Sequence, residues 1–339
     1  MSGSGGGLGG TSEPGGGIAG LTGRLASPVG AAAIARQSGI VTPFVVLFAT
    51  LSIASETFLR LPNLMNILDQ QAATVIVAAA GTLVLVAGGI DLSVGAVYAL
   101  SGVTAATLAS SADPLAAVVV GMFVGLVVGI ANGIVVTRFR INALIATLAA
   151  SYVVSGIGAL VTRGNLVVAF EHPEFQAFAA TRILGLTSAA WIMLAVTLIL
   201  AVVLARSTFG RYVYASGGNA DAARLAGVEV DRIRLAVFAI SGLAAGLAGV
   251  IDASRVLSAQ SNAGGFLAFT VLAGIVVGGT SILGGEGSVW RTAIGCLFIA
   301  LIGNGFNLLG LDPFYRQITL GLILLLAVGI DAWSRRFDH

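Results

Sequence analysis

The chain has 339 residues, of which 57% are hydrophobic and 9% are charged. A soluble domain usually carries about 25% charged residues, so this composition excludes an ordinary water-soluble protein. Crossing the apolar core of a bilayer takes about 20 residues of helix, and the sequence contains a series of apolar runs of spanning length. We therefore predict a polytopic membrane protein.

The ionisable and metal-binding residues exclude several classes of function. All 17 basic residues are arginine, and a P-loop needs a lysine to reach the terminal phosphates of a nucleotide, so this chain is not itself a Walker-type ATPase. The net charge of +2 and the lack of a basic run argue against a nucleic-acid partner. One cysteine and two histidines are too few for a disulfide framework, a cysteine metal site or a Ser–His–Asp centre, and we expect no catalytic site, cofactor or metal.

The hydrophobic pattern divides the chain into a tail and a membrane domain. Residues 1–39 are rich in Gly, Ser and Ala and predict a disordered cytoplasmic tail. Residues 40–335 contain uniformly apolar segments, which predict an all-α bundle of about ten transmembrane helices. These segments lie at 40–58, 72–90, 92–110, 115–137, 142–162, 189–205, 235–254, 266–283, 290–309 and 314–333. Placing both termini in the cytoplasm puts most arginines on the cytoplasmic side, as the positive-inside rule requires.

Glycines at every fourth position predict close packing between helices. One apolar segment contains four of them, Gly121, Gly125, Gly129 and Gly133, and a second contains Gly242 and Gly246. Small residues four apart form a flat stripe against which a neighbouring helix backbone can approach. We interpret these residues as packing surfaces.

An unusual stretch joins two apolar segments without a polar loop between them. It contains Gly88, Gly89, Asp91 and Ser93. Adjacent glycines interrupt helices, and an acid at membrane depth is costly unless it is paired or faces water. Non-helical backbone at that depth is tolerated where it is buried in protein or lines a cavity. We predict a helix break that borders a solute pathway, with Asp91 also capping the next helix.

A stretch with weaker sequence similarity to this one lies in the second half of the chain. An apolar run similar to the one before Gly88 leads to Gly278 and Gly279. Glycine-interrupted apolar segments at corresponding places in two halves point to a substrate site at a repeat interface. We therefore assign Gly278 and Gly279 to the same predicted pathway.

The longest predicted cytoplasmic loop, residues 206–234, contains a short helix signal. Asn219 can cap a helix start, Asp221 favours the positive end of the helix dipole, and Gly227 suits a left-handed stop. A helix of about two turns is marginal alone in water, so it needs a partner protein or its own bundle to hold it. The residues assigned to this segment are Gly217, Gly218, Asn219, Asp221, Ala222, Ala223, Leu225, Ala226 and Gly227.

Four stretches together carry a resemblance to a known family. They read GTLVLVAGGIDLSVG, GRYVYASGGNADAARLAGVEVDRIR, VVGGTSILGGEGSVW and GNGFNLLG. In this order, over about residues 40 to 333, the chain resembles the ribose/xylose/galactose-type permease subunit of bacterial ABC importers, within the branched-chain amino acid/ribose-type permease family.

The resemblance implies partners and a location. It implies a multi-pass subunit in lipid of the bacterial inner membrane that pairs with a second permease subunit, a cytoplasmic ATP-binding subunit and a periplasmic solute-binding protein. It also implies that the short helix at 219–227 is the coupling helix that docks into the ATPase. The chain departs from many family members, which carry Glu-Leu-Asp where it has Ala268-Phe269-Thr270, so the solute stays open among monosaccharides and similar small polar molecules.

Two other functions remain as alternatives at this point. In a self-contained secondary transporter, Asp91, and Asp252 as a further candidate, would bind the coupling ion, since such transporters carry ionisable residues within their spans. An integral-membrane enzyme ranks lower, because the apolar segments contain no cluster of acid–base groups.

Overall fold

The structure is a computed structural model that describes residues 39–111, 113–170 and 172–334. Apart from Gly39, the tail predicted for residues 1–39 lies outside the described residues. The described part of the chain forms thirteen α-helices, which run α1 Val41–Ala54, α2 Leu61–Val86, α3 Val94–Ala109, α4 Pro114–Arg138, α5 Ala143–Thr162, α6 Pro173–Ala180, α7 Ser188–Arg206, α8 Thr208–Gly218, α9 Ala220–Leu225, α10 Val230–Val256, α11 Leu267–Val277, α12 Val289–Leu308 and α13 Pro313–Ser334.

The predicted all-α membrane bundle is confirmed as the fold class. Six helices (α2, α4, α5, α7, α10 and α12) are long and apolar enough to cross a membrane, and shorter apolar helices lie within α1, α3, α11 and α13. The strands are two residues each. β1 (Val167–Val168) pairs antiparallel with β4 (Ser258–Ala259), and β2 (Arg182–Ile183) with β3 (Leu186–Thr187).

Helix α2 begins at Leu61, eleven residues before the expected boundary at 72. Polar side chains interrupt the apolar pattern there, but the fold provides their partners. Asn63 and Asn304 exchange side-chain hydrogen bonds of 3.2 and 2.8 Å. The Asp69 carboxylate accepts a 2.7 Å bond from the Thr187 hydroxyl. Because buried polar groups are tolerated when they are paired, the helix continues where the sequence pattern does not show it.

The two glycine stripes lie against each other, on the antiparallel helices α4 and α10. A Cβ added at Gly125 would lie 2.3 Å from the carbonyl oxygen of Gly242, and one added at Gly129 would lie 2.4 Å from that of Phe238. At the two ends of the stripe, Gly121 and Gly133 approach α10 at Val250 and Leu235. The backbones therefore touch without side chains between them, as in small-residue packing of membrane helices. This contact and the packing of α3 on α10 form one wall of the site described next.

Candidate functional site

The helix break lies between α2 and α3. The amide of Gly89 donates a 2.9 Å bond to the Val84 carbonyl, and that of Gly88 donates one to Leu85. Gly88 has φ +79°, so α2 ends in a left-handed glycine, the conformation that stops helices most readily. Helical structure resumes at Val94. Between Gly89 and Val94 the backbone is not helical, so its polar groups need hydrogen-bond partners other than those of a helix.

Side chains from neighbouring helices provide those partners. The Asp91 carboxylate accepts bonds from the Ser93 amide at 3.0 Å, the Ser93 hydroxyl at 2.6 Å and the Ser241 hydroxyl of α10 at 2.8 Å. Asn132 of α4 donates a 2.8 Å bond to the Ser93 hydroxyl. The Thr147 hydroxyl of α5 accepts from the Leu92 amide at 3.0 Å. Three helices therefore hold the break.

The same contacts define how Asp91 acts before α3, since its carboxylate accepts the backbone amide two residues along the chain, as a capping side chain does. The residue that precedes the first turn of α3 is Ser93, and the Asp91 carboxylate bonds to Ser93 itself. Asp91 therefore fixes the backbone that leads into α3. Ser241 lies eleven residues beyond the start of α10 at Val230, which is about 16 Å of helix, so this network lies well inside the bundle.

A small cleft borders the break. It is lined by the segment from Gly89 to Leu92 and by one face of α11, including Ala268 and Ile275. Its volume is about 20 Å³, which is enough for about one water molecule and too small for a monosaccharide. Ala268, the first residue of the Ala-Phe-Thr departure, therefore lies beside the break, and Phe269 is exposed.

The second acidic candidate, Asp252, has its own partners. Its carboxylate pairs with Arg255 at 2.6 Å and accepts a hydrogen bond from the Tyr98 hydroxyl of α3. Arg255 also approaches the Asp69 carbonyl at 3.5 Å. Both Asp91 and Asp252 are thus engaged by donors of the chain itself, which does not favour the ion-coupled alternative.

The second glycine pair ends helix α11 in the same way as the first ends α2. Gly278 follows Val277, Gly279 has φ +82°, and the Thr280 amide donates a 3.2 Å bond to the Ile275 carbonyl. Gly278 packs closely on Arg291 and Thr292 at the start of α12. The turn that follows α11 reaches the end of α2, because the Gly285 amide donates a 2.9 Å bond to the Val86 carbonyl.

Residues 206–234, to which the resemblance gives a coupling role and which we therefore call the coupling loop, fold as α8, α9 and the start of α10. Asn219 accepts a 2.9 Å bond from the Ala222 amide, and Gly227 has φ +86°. Helix α9 itself spans only Ala220–Leu225, shorter than the predicted two turns. Asp221 and Arg224 form a 3.2 Å ion pair on its surface.

The residues of this segment point in different directions. Ala223 is buried against the bundle, whereas Ala222 and Ala226 are exposed. The Leu225 side chain is 91% exposed, although it is apolar. Gly217 and Gly218 approach other parts of the chain, at Val86 and Gly285. Ala223, Gly217 and Gly218 therefore contact the bundle, and a partner could reach Ala222, Leu225 and Ala226.

Sequence reasoning missed the partners of the break. Ser241, Asn132 and Thr147 are single polar residues within apolar segments, and that isolation was the available signal. It did not show which of the many such residues converge on the helix break, because they come from three helices that are distant in sequence.

Comparisons with known proteins agree with this architecture. Residues 63–328 match the family described as branched-chain amino acid transport system / permease component. The ribose import permease protein of Escherichia coli is 39% identical over 290 residues, covering 84% of this chain and 90% of that protein. The D-allose transport system permease protein of Escherichia coli is 37% identical, covering 86% and 89%. The L-arabinose ABC transporter permease protein of Azospirillum brasilense is 35% identical, covering 88% of each chain. No solved structure matches.

Proposed function

Because the chain belongs to the family of branched-chain amino acid transport system permease components, we propose that it is the membrane-spanning permease subunit of a bacterial ABC importer. The solute is a monosaccharide or a similar small polar molecule. The observation that carries the proposal is the similarity, over most of the chain, to permeases named for ribose, arabinose and allose. The protein acts in the inner membrane, with its helices in contact with lipid.

The energy for transport comes from a separate ATP-binding subunit. The chain has no lysine and hence no Walker A motif. The coupling loop supplies the contact with that subunit, through the exposed residues of α9. A side chain such as Leu225, apolar and 91% exposed, gains most when it enters a partner's groove.

We place ten spans in the membrane and both termini in the cytoplasm. Each of the ten apolar segments of the sequence overlaps one helix, of which six are of spanning length and four are shorter. An even number of spans brings both ends to one side, and the arginine distribution favours the cytoplasm. This orientation puts the coupling loop beside the ATPase.

The solute pathway lies between this chain and a second permease subunit, of the same or a related chain. The cleft at the break, about 20 Å³ in volume, cannot hold a sugar within this chain. A pathway between two subunits, gated by the break, would hold the solute outside this small cleft. A periplasmic solute-binding protein delivers the solute on the outer side.

Reconstitution tests the proposal. The subunit alone is placed in vesicles and given a proton or sodium gradient, with radiolabelled D-ribose, L-arabinose or D-allose outside. We expect no accumulation from a gradient, and ATP-dependent uptake of a sugar once the ATP-binding subunit and the solute-binding protein are added. Gradient-driven uptake by the subunit alone would instead establish the secondary transporter.

A further inference from the structure

Three segments of the chain meet through direct backbone contacts behind the coupling loop. They are the end of α2 at Gly88, the end of α8 at Gly217–Gly218 and the turn at Gly284–Gly285 between α11 and α12, and we call them the glycine junction. A Cβ added at Gly284 would lie 2.9 Å from the Gly88 Cα, and one added at Gly285 would lie 2.7 Å from the Gly218 Cα. No side chain separates the three segments, so a displacement of one is transmitted to the others.

Hydrogen bonds tie the same segments together. The Tyr214 hydroxyl of α8 donates a 2.8 Å bond to the Gly287 carbonyl. The turn that contains Gly287 also bonds to the end of α2, because its Gly285 amide donates a 2.9 Å bond to the Val86 carbonyl. A tyrosine phenol is protonated at neutral pH and can donate this bond, and burial raises the pKa of the half-buried Tyr214 phenol further.

Arg234 adds a second tie, from the first turns of α10. Its Nε donates to the Ala87 carbonyl at 3.3 Å, and its Nη2 donates to the Ser216 carbonyl at 3.5 Å. One guanidinium thus connects the residue that follows α2 with the last turn of α8. Arginine suits this role because its planar group presents several donors in a fixed arrangement.

We propose that Tyr214 and Arg234 are positioning residues that transmit movement of the coupling loop to the helix break. The path begins at α9, passes through α8 and the glycine junction to Gly88, and reaches the Asp91 network and its cleft. It consists of packed backbone and named hydrogen bonds, which is the kind of contiguous contact that carries coupling between sites. This inference rests on the proposed function, since it needs an ATPase that moves the coupling loop.

The experiment uses the complete complex in proteoliposomes: this permease, its ATP-binding subunit and the solute-binding protein. ATP hydrolysis and uptake of the radiolabelled sugar are measured in the same vesicles, with D-ribose, L-arabinose and D-allose as probes. Their ratio, sugar imported per ATP hydrolysed, is the decisive readout. A substitution that affects only folding changes the amount of folded complex and leaves this ratio unaltered.

We expect Tyr214→Phe and Arg234→Gln to retain the ATP-binding subunit and ATP hydrolysis but to lower the ratio about tenfold. This is the change that loss of one charge-assisted or buried hydrogen bond produces in a two-state equilibrium. Arg234→Lys, which can reach one carbonyl but not both, should recover part of the ratio.

Matched controls lie in the coupling loop but outside α9, whose exposed residues are assigned to the ATPase contact. Tyr212 is on the same helix as Tyr214 and is 42% exposed. Arg232 forms an exposed ion pair with Glu229 at 2.6 Å. Tyr212→Phe and Arg232→Gln should therefore keep the wild-type ratio. An unchanged ratio in Tyr214→Phe and Arg234→Gln, or an equal loss in the controls, would overturn the inference. A wild-type complex that imports none of these sugars with ATP would count against them as the solute, and uptake by the subunit alone from an ion gradient would overturn the proposed function itself.

Discussion

Gly217 packs directly against the carbonyl oxygen of Val86. A Cβ added at Gly217 would lie 1.8 Å from that oxygen, far inside any van der Waals contact. The coupling loop and the end of α2 therefore touch through backbone atoms that leave no room for a methyl group.

The first prediction follows from this contact. Gly217→Ala should lower the free energy of unfolding by about 1–3 kcal/mol, because the added methyl group must push two backbones apart. Gly218→Ala is the matched control, since its Cβ would lie 3.9 Å from the Gly285 Cα. Thermal unfolding in detergent compares the two variants. Equal melting temperatures for the two variants would show that the glycine junction accommodates the added methyl group without loss of stability.

The second prediction concerns the packing of α4 on α10. Gly125→Ala should destabilise the protein by about 1–3 kcal/mol, since its Cβ would lie 2.3 Å from the Gly242 carbonyl oxygen. Gly156 on α5 has nothing within 4 Å of its added Cβ. Gly156→Ala should be neutral or stabilising by up to about 1 kcal/mol, the helix propensity gained. The measurement is again thermal unfolding, and the reverse order of stabilities would refute close packing at this stripe.

The third prediction concerns Asp91. Asp91→Asn should be mild in uptake and stability, because the amide oxygen can still accept from Ser93 while its nitrogen donates to the Ser241 hydroxyl. Asp91→Leu leaves those donors without an acceptor and should cost about 1–3 kcal/mol of stability. Uptake and melting temperature are measured for both. Loss of uptake in a fully stable Asp91→Asn variant would indicate an ion-carrying carboxylate and count against the ABC mechanism.

The fourth prediction concerns the ATPase contact. Leu225→Ala should reduce recovery of the ATP-binding subunit on co-purification about tenfold or more, as truncation of an apolar anchor does at an interface. Leu184, in the hairpin between β2 and β3, is 88% exposed, and Leu184→Ala should leave recovery unchanged. Ala222→Arg should act like Leu225→Ala because Ala222 is exposed. Full recovery with both α9 variants would mean that another surface holds the ATPase.

Ala223 is unsuited to the same test. Its side chain is buried against the bundle of this chain, so a bulky substitution there would damage the permease itself. The sequence pattern could not separate Ala222 from Ala223, since adjacent alanines in a short helix look alike until the packing of the helix is known. The structure therefore restricts the surface available to a partner.

The sequence by itself determined the class of fold and the local conformations. Uniform hydrophobicity specified apolar helices, because the hydrogen bonds of each helix are formed within its own segment. Paired glycines marked the end of α2, where Gly88 is left-handed, and the end of α11, where Gly279 is left-handed, since left-handed backbone favours glycine. Asn219 and Gly227 bounded the short helix α9 for equally local reasons.

Only the tertiary structure decided which residues of other helices these elements contact. The early start of α2 depends on Asn304 and Thr187, and the environment of Asp91 depends on Ser241 and Asn132. The contact of Gly88 with Gly284 joins positions almost two hundred residues apart. Such pairings depend on how helices pack in space, and helical periodicity specifies which face of a helix is apolar or small but not which neighbour covers it.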